Sequence, residues 1–266
     1  MPRGLKLTVY FLGAALLAYC AMASLVWAMQ GRLIYPAPPV RTDVPVGVER
    51  VVYRTQDGID ITAGYVAPRD DMPTIVFFHG NGADFQSSLQ VTKRMAKWGF
   101  GILAAEYRGY GGNAGVPSEE GFYEDGRAAL AFLKQRGVPM ENTVLLGNSI
   151  GSGVAVQMAS ENDVRALVLI SPFDSLTNTA ARALRWLPVR LLLKDRFDNQ
   201  AKLGDLEMPI LIMHGDADTL ILPSQAQALS QKNERVRLLM FEGKGHDLAG
   251  HAEIYSQVAD FIYDAR

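Results

Sequence analysis

Runs of strand length that are almost wholly apolar alternate with amphipathic stretches along this chain, and that alternation restricts the fold more than any other feature. The runs are Thr74–Phe78, Gly101–Tyr107, Val144–Gly147, Ala166–Ile170, Pro209–Met213 and Val236–Phe241. Most are continuously apolar, the pattern of parallel strands covered on both faces. Among them, Ser87–Trp98, Glu119–Arg136, Ile150–Ser160, Ser224–Gln231 and His251–Tyr263 carry helical spacing. Ser118 suits the N-cap ahead of Glu119, and Gly137 followed by Pro139 closes the same helix. Two earlier strand-like runs, Glu49–Thr55 and Ile59–Ala67, meet at Asp57-Gly58, a hairpin turn pair. A hairpin followed by repeated β–α units predicts an α/β fold: a mostly parallel central sheet flanked by helices.

One segment breaks this rhythm. Residues 174–208 lie between two strand runs and hold the apolar patch Leu184, Trp186, Leu187, Val189 and Leu191 to Leu193. Connections of that length are uncommon unless functional, so the stretch is expected to form a small lid-like insertion rather than a plain pair of connecting helices.

The beginning of the chain obeys a different rule. Leu7 to Met29 is free of charge, and as a helix it would reach about 35 Å, enough for a hydrocarbon core of about 30 Å. Arg3 and Lys6 precede the run, while Trp27 and Tyr35 stand near its far end, where amphipathic rings favour a membrane interface. Ala21-Met22-Ala23 offers a signal-cleavage pattern, but Leu25 to Met29 carry the apolar run past it. Residues 1–29 are therefore expected to form an uncleaved single-pass anchor, with secretion after signal cleavage as the alternative. Arg3 and Lys6 against Arg32 and Arg41 give a slight bias toward a globular part outside the cytoplasm. Residues 30–47, rich in proline, read as an extended linker, leaving 48–266 as one domain.

Composition removes several function classes. Lys plus Arg is 26 and Asp plus Glu is 28, a formal charge of −2 with no basic block, which argues against nucleic-acid binding. A single cysteine forms no internal disulfide and no Cys-rich zinc site. P-loop and H-E-x-x-H patterns are absent, and Gly109-Tyr110-Gly111-Gly112-Asn113-Ala114 lacks the helix that a dinucleotide fingerprint needs directly behind it. No cofactor and no metal is expected.

The chemistry gathers elsewhere. Gly147-Asn148-Ser149-Ile150-Gly151 follows an apolar strand and precedes a helical stretch, the context of a nucleophile elbow that projects a serine hydroxyl at the sheet edge. A serine needs a base. Of His79, His214, His246 and His251, His246 sits on the flexible loop Gly243-Lys244-Gly245 after the last strand and is the expected base. Asp218, further into its loop than Asp216, is the expected orienting carboxylate. The oxyanion requires two backbone donors, expected from Ile150 and from Asn81 in His79-Gly80-Asn81-Gly82.

With Ser149, Asp218 and His246 in that order, the chain resembles the α/β-hydrolase superfamily, and within it the membrane-anchored esterases and thioesterases that include protein depalmitoylases. The resemblance rests on Arg32-Leu33-Ile34-Tyr35-Pro36, Phe78-His79-Gly80-Asn81-Gly82, Tyr107-Arg108-Gly109-Tyr110-Gly111, the elbow, His214-Gly215-Asp216-Ala217-Asp218 and Gly245-His246. It implies an α/β-hydrolase fold, Ser149 as nucleophile, Asp218 as acid, His246 as base, and Asn81 with Ile150 as oxyanion hole. Glu106 departs from the Asp common before Tyr-Arg-Gly, and Asn148 from the usual Arg, His or Gln. The expected substrate is an acyl ester or thioester, with lipid-like chains suggested by proximity to the anchor. A serine aminopeptidase-like hydrolase and a non-catalytic membrane scaffold are the alternatives.

Overall fold

The computed structural model describes residues 2–40 and 45–265. Arg41, part of the orientation argument, and residues 42–44 of the expected linker lie outside the described residues. The hairpin expected around Asp57-Gly58 is β1 (Glu49–Arg54) and β2 (Asp60–Val66). It is followed by β3 (Thr74–Phe78), β4 (Gly101–Ala104), β5 (Thr143–Asn148), β6 (Ala166–Ile170), β7 (Ile210–Gly215) and β8 (Val236–Phe241). The sheet order is β1-β2-β4-β3-β5-β6-β7-β8. β1, β2 and β4 pair antiparallel, and every pairing from β4 through β3 to β8 is parallel.

The continuous apolar runs are buried on both faces, as their lack of alternation requires. α2 (Phe85–Lys97) and α9 (Ile254–Asp264) cover one side, placing Leu89, Met95, Val258 and Ile262 over Ile75, Val144 and Val168. α3 (Glu119–Gln135), α4 (Gly151–Glu161) and α8 (Pro223–Ser230) cover the other, with Phe122, Leu133, Val154 and Leu229 over Val76, Leu145 and Leu167. Val144, Leu145 and Leu146 have no exposed surface. Burying each such side chain contributes about 1.5–3 kcal/mol, so β5 is held rigidly where it meets Ser149.

β4 is shorter than the apolar run Gly101–Tyr107 suggests. After Ala105 N–H donates to the Phe77 carbonyl, the chain leaves the sheet. Glu106 then turns its carboxylate inward, where it accepts from the Phe85 and Tyr107 N–H groups at 2.9 and 3.0 Å. Arg108 next bridges Asp125 on α3 to Asp57 in the hairpin turn, at 3.0 Å from Nε and 2.7 Å from Nη1.

Residues 174–208 fold into three short helices: α5 (Leu176–Ala183), α6 (Val189–Leu192) and α7 (Asn199–Leu203). Phe197 and Leu203 belong to the main core, so the peripheral part of the insertion ends before Phe197. α1 (Arg3–Ile34) is one unbroken helix that passes the expected end at Met29, so the first five residues of the expected linker 30–47 are helical. The cause is tertiary. Gln30 Oε1 accepts from the Lys194 N–H at 2.9 Å, and the buried Tyr35 donates its hydroxyl proton to Asp195 at 2.8 Å. Pro36 then prevents further helix. By length and apolarity α1 can cross a membrane; lying near the N-terminus, it also fits a signal segment.

Candidate active site

β3, β5, β6 and β7 run parallel and in register, with Phe78 opposite Gly147, Asn148 opposite Ile170, and Ile170 opposite Met213. Their C-terminal ends form a common edge, the position where open α/β sheets bind ligands. Ser149 stands there between β5 and α4 with φ +51°, a left-handed conformation uncommon for a non-glycine residue. Its N–H donates to the Ile170 carbonyl, and its carbonyl accepts from the Ser152 N–H and hydroxyl. Glycine is required on both sides. A Cβ on Gly151 would lie 2.1 Å from the Phe78 carbonyl oxygen, and one on Gly147 would lie 2.5 Å from the Gly151 carbonyl oxygen. Such tightness keeps the strained turn in place.

The loop after β8 brings His246 over this edge. His246 Nε2 lies 2.9 Å from Ser149 Oγ, and Nδ1 lies 2.8 Å from Asp218 Oδ2. A carboxylate only accepts, so Nδ1 carries the proton and Nε2 accepts from the serine hydroxyl. Asp218 is almost wholly buried in the loop after β7. Its Oδ1 accepts from the Leu220 and Ile221 N–H groups at 2.9 Å each, and His214 Nε2 approaches Oδ2 at 3.3 Å. Burial alone would raise the Asp218 pKa, but donors from His214, His246 and Ile221 outweigh it and hold the group well below the usual carboxylate range. Asp216, the other candidate carboxylate, instead accepts from the Gly243 N–H at 2.7 Å and shapes the turn leading to His246.

Ile150 directly follows the serine, and Asn81 follows Gly80, where an added Cβ would lie 3.2 Å from Ser149 Cβ. Neither backbone N–H has a backbone partner among the described residues. The Asn81 side chain is occupied elsewhere: Nδ2 donates to the Ile34 carbonyl at the end of α1 at 2.6 Å, and Oδ1 accepts from the Tyr110 hydroxyl at 3.0 Å.

Two features escape sequence reasoning. His79 is a buried partner of Glu106, with Nε2 2.5 Å from Oε1 and Nδ1 2.9 Å from the Gly80 carbonyl oxygen. Burial disfavours its charged form, yet the Glu106 charge and both hydrogen bonds raise its pKa above the ordinary histidine value. The pair braces the loop that carries Asn81. His214 is the second feature. It donates from Nε2 to the Ile221 carbonyl at 2.9 Å and so supports the Asp218 loop. The i, i+4 spacing of His214 and Asp218 is the only signal that could have revealed it; the His79–Glu106 pair leaves none.

The chain is similar in sequence and in fold to known proteins. The serine aminopeptidase S33 family model matches residues 70–202. An uncharacterized protein of Mycobacterium tuberculosis is 33% identical over 232 residues, covering 84% of this chain and 82% of its own length. Human alpha/beta hydrolase domain-containing protein 17B is 31% identical over 214 residues, covering 79% of this chain and 72% of its own length. Among solved structures, an alpha-beta hydrolase from Vibrio vulnificus superposes with a TM-score of 0.74 at 20% identity, covering 90% of this chain and 92% of that one. A Pyrococcus furiosus esterase superposes with a TM-score of 0.72 at 19% identity, covering 86% and 97%.

Proposed function

From the premise that the chain belongs to the α/β-hydrolase superfamily, we propose that it is a serine hydrolase cleaving carboxylic ester or thioester bonds through an acyl-enzyme on Ser149. The observation that carries this reading is the unbroken chain of hydrogen bonds from Ser149 through His246 to Asp218 at the sheet edge. In the proposed reaction His246 Nε2 takes the Ser149 proton as Oγ attacks the carbonyl carbon. Asp218 holds the ring in the tautomer that leaves Nε2 free, and steadies the imidazolium that forms. The N–H groups of Ile150 and Asn81 receive the oxyanion; removing one such donor typically costs 10²–10³-fold in rate. His246 then returns the proton to the departing alcohol or thiol, and water enters by the reverse sequence to free the carboxylic acid.

A fluorophosphonate probe tests the assignment. Ser149 is expected to be the labelled residue and Ser149→Ala to be unlabelled; a folded, unlabelled wild-type protein sinks the reading. A panel of p-nitrophenyl esters and thioesters of increasing chain length then defines the acyl group, with lipid-like chains favoured by the apolar helix α1 and the apolar insertion packed along it. The match to a serine aminopeptidase model supports a second reading, cleavage of an aminoacyl bond by the same residues. Faster turnover of aminoacyl-p-nitroanilides than of acyl esters would select it.

The same proposal reads α1 as a single-pass anchor carrying the domain outside the cytoplasm, supported by Arg3 and Lys6 ahead of the apolar run. Proteolysis of sealed vesicles checks it: the domain should be digested from the non-cytoplasmic face alone.

A further inference from the structure

The insertion lies alongside α1 rather than beyond its end. The Tyr19 hydroxyl donates to the Trp186 carbonyl at 3.0 Å, and the two rings meet edge to face at 6.3 Å between centroids. Further along, Lys194 Nζ sits 4.3 Å over the Trp27 ring, and Gln30 is bonded to the Lys194 N–H. An apolar groove runs between the two, walled by Val26, Trp27 and Leu33 on α1 and by Leu184, Leu187 and Leu192 on the insertion. About half of the Trp186 surface and 84% of that of Leu191 nonetheless remain uncovered by protein.

Helix length decides what covers them. The free part of α1 before Tyr19, from Leu7 to Ala18, reaches only about 18 Å. A hydrocarbon core of about 30 Å must therefore continue along the helix past Tyr19 to roughly Val26 or Trp27. At that depth the core also surrounds whatever is fastened to Tyr19, and that is Trp186. The charges agree with this placement. Arg182, Arg185, Arg190, Lys194 and Arg196 crowd the peripheral stretch, and Asp195, the one acid among them, is already taken by the Tyr35 hydroxyl and the Glu119 N–H. Long cationic side chains bury their stems and send their heads to the phosphate level, as the position of Lys194 beside interfacial Trp27 illustrates.

We propose that the exposed apolar side chains of the stretch 184–193, Trp186 and Leu191 foremost, are immersed in the phospholipid bilayer beside α1, while Arg185 and Arg190 within the stretch and the cations flanking it extend to the level of the headgroup phosphates. The proposal rests on the reading of α1 as an anchor. It makes the insertion a second membrane-binding surface. The occupant of the exposed apolar face is lipid, not a second copy of the chain or a soluble partner.

The test uses the full chain in phospholipid vesicles, with Cys20→Ser removing the native thiol. Single cysteines Leu191→Cys, Leu12→Cys and Glu141→Cys each carry an environment-sensitive fluorophore, and lipids bearing a nitroxide on the acyl chain serve as quencher. Glu141 precedes β5 at the opposite end of the sheet from Ser149. The expected result is blue-shifted emission at 191 with quenching several-fold stronger than at 141 and approaching that at 12. Quenching at 12 with a label at 191 that behaves like 141 overturns the proposal while leaving the anchor intact. Blue-shifted but unquenched emission at 191 also overturns it, because protein would then cover the face. Quenching at neither 12 nor 191 overturns the anchor, and the proposal with it.

Discussion

Two histidine–carboxylate pairs lie at the C-terminal edge of one sheet, and they are built for opposite ends. His79 follows β3 and meets Glu106; His246 follows β8 and meets Asp218. The difference is in the second ring nitrogen. In His79 it faces the Gly80 carbonyl, which only accepts, so both nitrogens hold protons and the ring acts as a charged bolt. In His246 it faces the Ser149 hydroxyl, which can donate, so Nε2 keeps a lone pair, the one that takes the serine proton in the proposed reaction. Burial follows the same division: the His79 side chain is 1% exposed and that of His246 is 27% exposed. An imidazole beside a carboxylate is therefore not a base until its other nitrogen has something to deprotonate.

Mutation should separate the two. His246→Ala is expected to lower kcat toward ester substrates by about 10⁴-fold or more, with a melting curve close to wild type. Asp218→Asn should cost on the order of 10⁴-fold in kcat, because the amide favours the wrong tautomer. His79→Ala reverses the pattern. It strands the buried Glu106 carboxylate and should cost about 3–5 kcal/mol of unfolding free energy in urea, with kcat of the surviving folded fraction changed far less. Loss of turnover at undiminished stability in His79→Ala would erase the distinction.

The pairs should also separate by pH. The folded pKa of His79 is raised, so its contribution is fully present below its unfolded value of about 6.5 and is lost as pH rises through the folded value. The folded pKa of Asp218 is lowered, so its contribution is present above its unfolded value of about 3.9 and is lost as pH falls through the folded value. Urea midpoints followed from about pH 3 to about pH 9 should lose part of the alkaline decline in His79→Gln and part of the acid decline in Asp218→Asn. The smallest effect belongs to Asn81→Ala. It removes the side-chain bonds to the Ile34 carbonyl and from the Tyr110 hydroxyl while keeping the backbone N–H, so a loss of about 1–3 kcal/mol and a change in kcat of no more than a few-fold are expected.

Much of this frame was legible because it is written locally. The buried strands announce themselves by unbroken apolar runs, and the elbow by glycines around Ser149 between a strand and a helix. Asp218 and His246 could be singled out as candidates because α/β-hydrolases order serine, acid and base along the chain. What stayed hidden depends on contacts across long separations. Glu106 reads as a minor departure in a motif until the fold brings it to His79, and its inward turn is also why β4 stops at Ala104. The true end of α1 is likewise set by Lys194 and Asp195, some 160 residues away, which no local periodicity contains.

The continuity of α1 has a consequence for reach. Its last carbonyl, at Ile34, is gripped by the side chain of Asn81, so no slack separates the apolar helix from the loop beside Ser149. A flexibly tethered domain would wander over a hemisphere; with α1 as the proposed anchor, this one would have its altitude and compass heading written as a residue count, about 1.5 Å and 100° for each residue of helix. Anchored molecules of this kind would all work in one thin plane above the bilayer. Substrates would then be sorted by how far their reactive carbonyl stands from the membrane before their chemistry is consulted.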